Sequence, residues 1–411
     1  MIDLKLADQY SARLLMLSFF LPAKWQVAVV MCISIWFIAR SIPRVKETSK
    51  KDYAWALLFS SLFIFYFASL LITPVEYRKI LLHICERKVS LFFTPFVMVM
   101  AGPYYRKVIL GELQYFVFGC ILSCLAGNLD FIYHYFIYKG GLHDASHVAY
   151  RIMFEHFTGI HPTYMGMFLG FSICITVLSG SYNFRPGNMV RYALVFILLV
   201  FLLALLAKSA LLAMIVIFLH YGWTKQKWIY QNKLQIGAMV IALTAACYFI
   251  PFTGQRIREV FSFMGNSRPV GITDNSVYVR KMILDVDISL LKNNWLTGVG
   301  PGRVLHSLQE RYFFFSINNN YDVSHYDPHN QYLNEWLGLG IAGITLLASI
   351  LIIHLYRAIR AHNQLYLYCL IILIATFFTE TVLSRQEGVI FYGLFTSLFF
   401  FGSTTQKRIS F

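Results

Sequence analysis

Long apolar runs separated by short polar breaks recur along the whole chain. A helix needs roughly 20 apolar residues to cross a hydrocarbon core of about 30 Å, and runs of this order favour membrane-spanning helices. The pattern predicts about twelve of them. They lie near residues 10–22, 25–40, 53–72, 88–102, 108–127, 163–181, 191–206, 209–222, 234–251, 333–356, 365–382 and 388–403. Because several runs are short, the first two, and the two around Lys208, are each also compatible with one broken helix.

The composition agrees with this pattern. Hydrophobic residues make up 58% of the 411 residues and charged residues only 13%, with a mean hydropathy of +0.59, which excludes an ordinary soluble domain. The predicted fold is an all-α polytopic membrane protein, with residues 1–411 forming one membrane domain. The seven cysteines show no CxxC spacing, so we expect no disulfide framework or zinc site. We also expect no other metal and no cofactor.

The charge distribution predicts the orientation of the chain in the membrane. The net charge is +15, and cytoplasmic connections of membrane proteins are rich in Lys and Arg. Basic residues cluster at 40–51, 106–107, 225–227, 357–360 and 407–408. With twelve spans and a cytoplasmic N-terminus, all of these clusters fall on one side, so the charge is explained without nucleic acid as a partner. Two longer segments, 128–162 and 252–332, then face the periplasm.

The larger of these segments, 252–332, is too long for a simple connection and is expected to fold on the membrane surface. Its stretch 276–294 has helical spacing of apolar residues, at Val279, Ile283, Val286 and Leu290. The glycine-rich stretch 297–302 predicts a tight turn, where the backbone at Gly300 can approach a ligand closely.

The best candidate for chemistry in this segment is His329. Asp327 fits a helix N-cap and Pro328 the first helical position, which places His329 in the first turn of the next apolar helix. The helix dipole disfavours an imidazolium there, so a neutral ring could act as a general base.

Three basic residues are candidates for binding an anion. Lys208 lies between two apolar stretches, where a cation costs several kcal/mol unless it reaches water or an anion, and the predicted topology places it at the outer end. Arg280 lies near the start of the predicted loop helix, and Arg303 follows the glycine turn.

Other polar residues are weaker candidates. Arg385 is expected at the outer face, where it either meets substrate or pairs with Glu380 or Glu387. For His161 and Tyr164, at the start of the sixth predicted helix, the membrane interface is the favoured interpretation over an acceptor groove. The pair Asp285 and Asp287 matches the DxD pattern of metal-dependent glycosyltransferases, but the helical pattern around it favours a solvent-exposed charged face.

Taken in order, these motifs resemble the O-antigen ligase and polymerase superfamily. An intramembrane cation is followed by the outer loop with an arginine, the Gly-Val-Gly turn, Pro-His-Asn-Gln-Tyr-Leu and the glycine-rich stretch 338–343. The resemblance spans roughly residues 160 to 400. It implies metal-free transfer of a glycan from an undecaprenyl pyrophosphate carrier, with His329, Arg280 and Lys208 at the family's functional positions. The family usually has Ser-Arg where this chain has Ala207-Lys208, which keeps the charge but loses bidentate phosphate binding.

The resulting prediction is an O-antigen-ligase-like glycosyltransferase of the bacterial inner membrane, with its active site on the periplasmic face. Its acceptor is lipid A-core, and transfer inverts the anomeric centre. The predicted catalytic residues are His329, Arg280 and Lys208. The predicted substrate-binding residues are Arg303, Gly300, Asn330, Arg385, His161 and Tyr164. Two alternatives within the superfamily are an O-antigen polymerase and a protein O-oligosaccharyltransferase; a polysaccharide transporter or flippase is the alternative from another class.

Overall fold

The computed structural model describes residues 4–42, 49–138, 147–178, 186–231, 276–319 and 326–402, with isolated positions between 233 and 241. All regular structure in these ranges is helical, which confirms the all-α class. In chain order the α-helices are α1 (Leu4–Leu17), α2 (Ala23–Ser41), α3 (Lys50–Ala68), α4 (Val75–Met100), α5 (Gly102–Gly111), α6 (Gln114–Tyr138), α7 (His147–Thr158), α8 (Pro162–Val177), α9 (Asn188–Leu205), α10 (Lys208–Thr224), α11 (Gln226–Gln231), α12 (Ser276–Asn294), α13 (Val304–Asn319), α14 (Gln331–Arg360), α15 (Gln364–Phe377) and α16 (Gln386–Gly402). Short 3₁₀ helices cover Ser18–Phe20, Ser69–Leu71 and Val382–Ser384.

Fewer helices qualify as complete membrane spans than the sequence predicts. Within the described ranges five are long and apolar enough, namely Ala23–Ser41, Lys50–Leu71, Gln114–His134, Asn188–Leu205 and Gln331–Arg360. Helices α7 and α8, bent by 77° at their junction, form a sixth if they count as one span. The protein is thus a multi-pass membrane protein, but the count of twelve is not confirmed. Most of the helix predicted at 234–251, and parts of the two long segments (139–146, 252–275 and 320–325), lie outside the described residues.

Two of the predicted spans form the centre of the bundle. Helices α8 and α16 have 16 and 17 residues and are buried along nearly their whole length. Both are apolar on every side, as expected for helices that contact other helices all round. Their aromatic side chains meet those of α6 and the first 3₁₀ helix. This cluster contains Phe19, Phe116, Phe168, Phe391 and Phe395.

Two helix boundaries differ from the prediction in ways that shape the site. The run predicted at 88–102 is the second half of α4, which already begins at Val75. Its first half is charged and therefore escaped detection by apolar length. The run predicted at 365–382 ends at Phe377, so Thr379, Glu380 and Thr381 lie in the connection to α16.

Helix α14 is broken at Gly340, and the glycine turn packs into the break. Gly340 has φ +65° and ψ −156°, a conformation open to glycine but strained for other residues. The backbone N–H of Ile341 donates to the carbonyl of Leu296 (3.1 Å), and that of Val299 donates to the carbonyl of Leu337 (2.8 Å). The turn therefore satisfies groups that the broken helix leaves unpaired, as a membrane environment requires.

A buried ion pair joins α4 to α14. Lys88 Nζ lies 3.3 Å from Glu335 Oε1, and the two side chains are 1% and 0% exposed. Gln331 Nε2 donates to the same oxygen of Glu335 at 2.6 Å, and the Lys88 ammonium lies 4.4 Å from the centre of the Tyr66 ring. The two charges compensate each other, so the pair fixes the relative position of the two helices.

We expect the Lys88→Met variant to lose about 3–5 kcal/mol of unfolding free energy, because Glu335 is left as a buried, uncompensated charge. The measurement is denaturant-induced unfolding in micelles. Adding Glu335→Gln should restore part of the loss, since no charge then remains buried. Arg385→Met is the matched control, because it breaks a pair whose side chains are 50% and 39% exposed and should cost under about 1 kcal/mol. Equal losses in the two single variants would contradict this assignment.

Candidate functional site

The centre of the candidate site is the carboxylate of Glu380, in the connection between α15 and α16. Glu380 is only 7% exposed. Its Oε1 accepts hydrogen bonds from Thr163 Oγ1 (3.3 Å) and Arg280 Nη2 (3.4 Å), and its Oε2 lies 3.3 Å from His329 Nδ1. A buried carboxylate is stable only where such partners compensate it. Glu380 therefore brings together α8, α12 and the segment before α14.

His329 does not lie in the first turn of a helix, as the sequence had predicted. Helix α14 begins at Gln331, and its N-cap is Asn330, whose side chain accepts from Leu333 N. His329 comes before the cap with a positive φ of 43°, an uncommon conformation that often marks a functional position in proteins. Asp327 holds this turn, because its Oδ1 accepts the backbone N–H of His329 at 3.2 Å.

The electrostatic prediction for His329 was also wrong. Burial has the largest single effect on its pKa and lowers it, but the hydrogen bond to Glu380 and the charges of Asp327 and Glu380 outweigh burial, so the pKa is raised above the ordinary 6.5. Burial likewise raises the pKa of Glu380, but His329, His161 and Arg280 lower it below 4.5 overall. His329 is thus oriented by a carboxylate that stabilises its protonated form.

This arrangement also determines which ring nitrogen of His329 is available. Nδ1 faces Glu380 at 3.3 Å and Asp327 at 3.4 Å. In the neutral ring, a hydrogen bond to a carboxylate places the proton on Nδ1 and leaves Nε2 as the basic nitrogen, an assignment made from the hydrogen-bond network. The geometry of an oriented base is present.

His329 and Arg280 line a common cavity of about 310 Å³. Lys281 and Asn330 supply further polar groups, and apolar walls come from α12, α14 and the end of α15. These apolar residues are Ile283, Leu284, Leu333 and Phe378. Arg280 carries five N–H donors, of which one bonds Glu380. A cavity with a base, cations and apolar walls can hold an anionic group attached to a lipid.

A second cavity of about 420 Å³ adjoins the first at Pro328, which lines both. Asp327 lines this second cavity, and its Oδ2 accepts a hydrogen bond from Thr381 Oγ1 at 2.7 Å. The charged half of α4 forms another wall, with His83, Arg87 and Lys88. Asp327 thus connects the second cavity to His329.

Lys208, the third predicted catalytic residue, lines neither cavity. It is the first residue of α10, after Leu206 in a left-handed conformation (φ 46°). The break between α9 and α10 packs closely on α8, because a Cβ placed on Gly166 would lie 2.2 Å from Ala207 Cβ. Gly166 is one turn from Thr163, so Lys208 is at the end of the bundle that holds Glu380.

The predicted substrate-binding residues are divided between the cavities and their surroundings. Asn330 lines the 310 Å³ cavity. Gly300 (φ +91°) belongs to the turn that packs on α14, and Arg303 lies with its guanidinium 5.3 Å from the centre of the Tyr77 ring.

Arg385, His161 and Tyr164 form a neighbouring network. Arg385 Nη1 bonds Glu155 Oε1 at 3.2 Å, rather than the expected Glu380 or Glu387, and His161 Nε2 lies 3.9 Å from the same carboxylate. The hydroxyl of Tyr164 donates to the carbonyl of Thr381 at 3.3 Å. These side chains border the connection that carries Glu380.

The DxD pair was interpreted incorrectly at one of its two positions. Asp285 is exposed, but Asp287 is fully buried, and both of its carboxylate oxygens lack a hydrogen-bond partner among the described residues. Burial, followed by the charge of Asp327, raises the pKa of Asp287 to about 8. The sequence spacing could have predicted this burial. Asp287 is four residues after Ile283 and three before Leu290, and therefore lies on the apolar face of α12.

Comparison with known proteins agrees with the motifs. Residues 193–348 match the family model described as O-antigen ligase, a range that includes Lys208, Arg280 and His329 but ends before Glu380. No curated protein matches the chain. The match confirms the resemblance to the O-antigen ligase and polymerase superfamily drawn from the sequence.

Proposed function

We propose that this protein transfers a glycan from an undecaprenyl pyrophosphate carrier to a lipid A-core acceptor. The observation that carries the proposal is His329, oriented by Glu380 beside Arg280 in a cavity with apolar walls. The family match supports a lipid-linked glycan as substrate class. We place the cavity at the periplasmic face of the bacterial inner membrane, where a donor must carry its own activation.

The proposed reaction is a direct displacement at the anomeric carbon. Nε2 of His329 accepts the proton of an acceptor hydroxyl as its oxygen forms a bond to the anomeric carbon. The bond from this carbon to the pyrophosphate oxygen breaks, and its electron pair leaves with the pyrophosphate. Attack opposite the leaving group inverts the anomeric centre, and no metal takes part.

The charges around His329 stabilise both products of this step, the imidazolium and the departing pyrophosphate. The imidazolium that forms is stabilised by Glu380, whose carboxylate is 3.3 Å from Nδ1. Arg280 offsets the negative charge that develops on the pyrophosphate. We give Lys208 the same role, on the basis of its family position and its place at the same end of the bundle. The apolar walls of the cavity accommodate the lipid next to the phosphates.

The acceptor distinguishes this proposal from its alternatives. An O-antigen polymerase uses the same donor with a second lipid-linked repeat unit as acceptor, and a protein O-oligosaccharyltransferase uses a Ser or Thr hydroxyl. The test is incubation of the purified protein with a lipid-pyrophosphate-linked glycan and each acceptor separately, with EDTA present. Transfer to lipid A-core supports the ligase, whereas conversion of donor to longer lipid-linked chains identifies the polymerase.

We expect His329→Ala to reduce transfer by about 10²–10⁴-fold, the usual contribution of a general base, with the fold retained. The measurement is the initial rate of transfer, with size-exclusion elution as the check on folding. His306→Ala is the matched control, because this histidine is 51% exposed and pairs with Glu310 in α13. Unimpaired transfer by a folded His329→Ala protein would exclude His329 as the base.

The raised pKa of His329 predicts a pH dependence of transfer. The base must be neutral, so kcat/KM should rise with pH through an apparent pKa above 6.5. In Glu380→Gln, loss of the carboxylate charge should move this rise to lower pH and reduce the maximal rate. A rise at the same pH in both proteins would mean that another group controls the profile.

The pKa shifts of His329 and Glu380 also predict how stability depends on pH. Above pH 6.5 stability should fall, whereas kcat/KM rises. A raised pKa of His329 contributes stability that is complete below 6.5 and is lost as pH rises through the folded-state value. The lowered pKa of Glu380 contributes stability that is complete above 4.5 and is lost as pH falls. The contact should therefore stabilise the fold most between pH 4.5 and 6.5, which thermal unfolding of wild type and Glu380→Gln across pH can check.

A further inference from the structure

The 420 Å³ cavity has no role in the displacement step, although it adjoins the site. Its volume falls in the range of small-molecule binding sites, and it adjoins the 310 Å³ cavity at Pro328. Its walls come from the charged half of α4, the start of α13, and the segments around Asp327 and Ser384. Tyr66 of α3 and Asn334 of α14 also line it, so residues from several parts of the chain form the cavity.

The polar groups in this cavity have unused hydrogen-bonding capacity. The side chains of Arg87, Asn334 and Ser384 line it, and none of them has a side-chain partner among the described residues. Asp327 accepts one hydrogen bond at each oxygen, whereas a carboxylate can accept about four. Together they offer both donors and acceptors.

The charge balance of the cavity favours a neutral polar ligand over an anion. Lys88 is neutralised by Glu335 at 3.3 Å, and His83 lies 3.4 Å from Glu86. This leaves the positive charge of Arg87 and the negative charge of Asp327 in the lining of the cavity. A phosphate would be repelled by Asp327, but a ring bearing several hydroxyl groups would satisfy donors and acceptors alike. Aliphatic side chains at Ile80, Ile84, Leu305 and Leu308 suit the apolar face of such a ring.

We propose that this cavity is a saccharide subsite, in which Asp327, Asn334, Ser384 and Arg87 bind one sugar ring of a glycan substrate. This inference rests on the proposed function, since it assigns a further binding position for a glycan next to His329. The ring belongs either to the donor glycan or to the acceptor glycan. Because Asp327 also holds His329 in its turn, a bound sugar and the base share one carboxylate.

The first test measures binding without requiring transfer. Saturation-transfer NMR on the full chain in lipid nanodiscs uses free galactose, N-acetylglucosamine and rhamnose as probes, with inorganic pyrophosphate as a competitor. We expect at least one sugar to bind, and Asn334→Ala or Arg87→Ala to weaken it by about tenfold, the effect of removing a hydrogen bond to a polar or charged partner.

The controls separate this subsite from the proposed reaction. Lys79→Ala, an exposed basic residue on α4 that does not line the cavity, should bind sugar like the wild type. His329→Ala should lose transfer but keep sugar binding. If sugar binds the wild type without any transfer, the proposed function fails while the subsite stands. The subsite is overturned if none of the three sugars binds or if pyrophosphate displaces the bound sugar. It is also overturned if Asn334→Ala and Arg87→Ala both bind sugar as tightly as the wild type.

The second test identifies the source of the sugar ring. In the transfer assay, the bound monosaccharide should raise the apparent KM of one substrate, either donor or acceptor, with little effect on kcat. The Asn334→Ala variant should raise the same KM by about tenfold. A variant that lowers kcat and leaves both KM values unchanged would contradict a binding role for this cavity.

Discussion

The candidate site depends on the buried carboxylate of Glu380. A charge of this kind is costly unless several partners compensate it, and here they come from three distant parts of the chain, at Thr163, Arg280 and His329. Removal of any partner leaves the others with an incompletely compensated charge. The side chains of the candidate site are therefore positioned by the need to compensate one buried anion, in addition to the packing of the helices that carry them.

A series of buried polar contacts also holds the connection that carries Glu380. The backbone N–H of Leu383 donates to Gln331 Oε1 at 2.7 Å, and Gln331 Nε2 donates to Glu335, which pairs with Lys88. Gln331 and Glu335 are fully buried on one face of α14. These contacts link α4 to the connection that carries Glu380. The positions of both cavities are therefore fixed relative to each other.

The sequence predicted the helices well because apolar length and period are local properties. The helix at 276–294 was predicted with its apolar face, and His329 and Arg280 do line one cavity. The number of spans could not be read from apolar length alone, because an apolar helix in the centre of the bundle, such as α8, has the same composition as one in contact with lipid. The partnership of Glu380 with His329 and Arg280 joins residues 51 and 100 positions apart. Local sequence patterns do not reveal contacts between residues so far apart in the chain. They also did not reveal the positive φ of His329, which lies before α14 and not in its first turn.

The break at Gly340 determines which substitutions the protein can tolerate in evolution. The segment that carries α12 and α13 is attached to α14 through main-chain hydrogen bonds, from Val299 to Leu337 and from Ile341 to Leu296, which depend little on the identity of the side chains. Substitutions on the exposed face of α12 or α13 therefore leave the attachment intact. The exposed surface of this segment can therefore vary in evolution while the groups around Glu380 keep their positions.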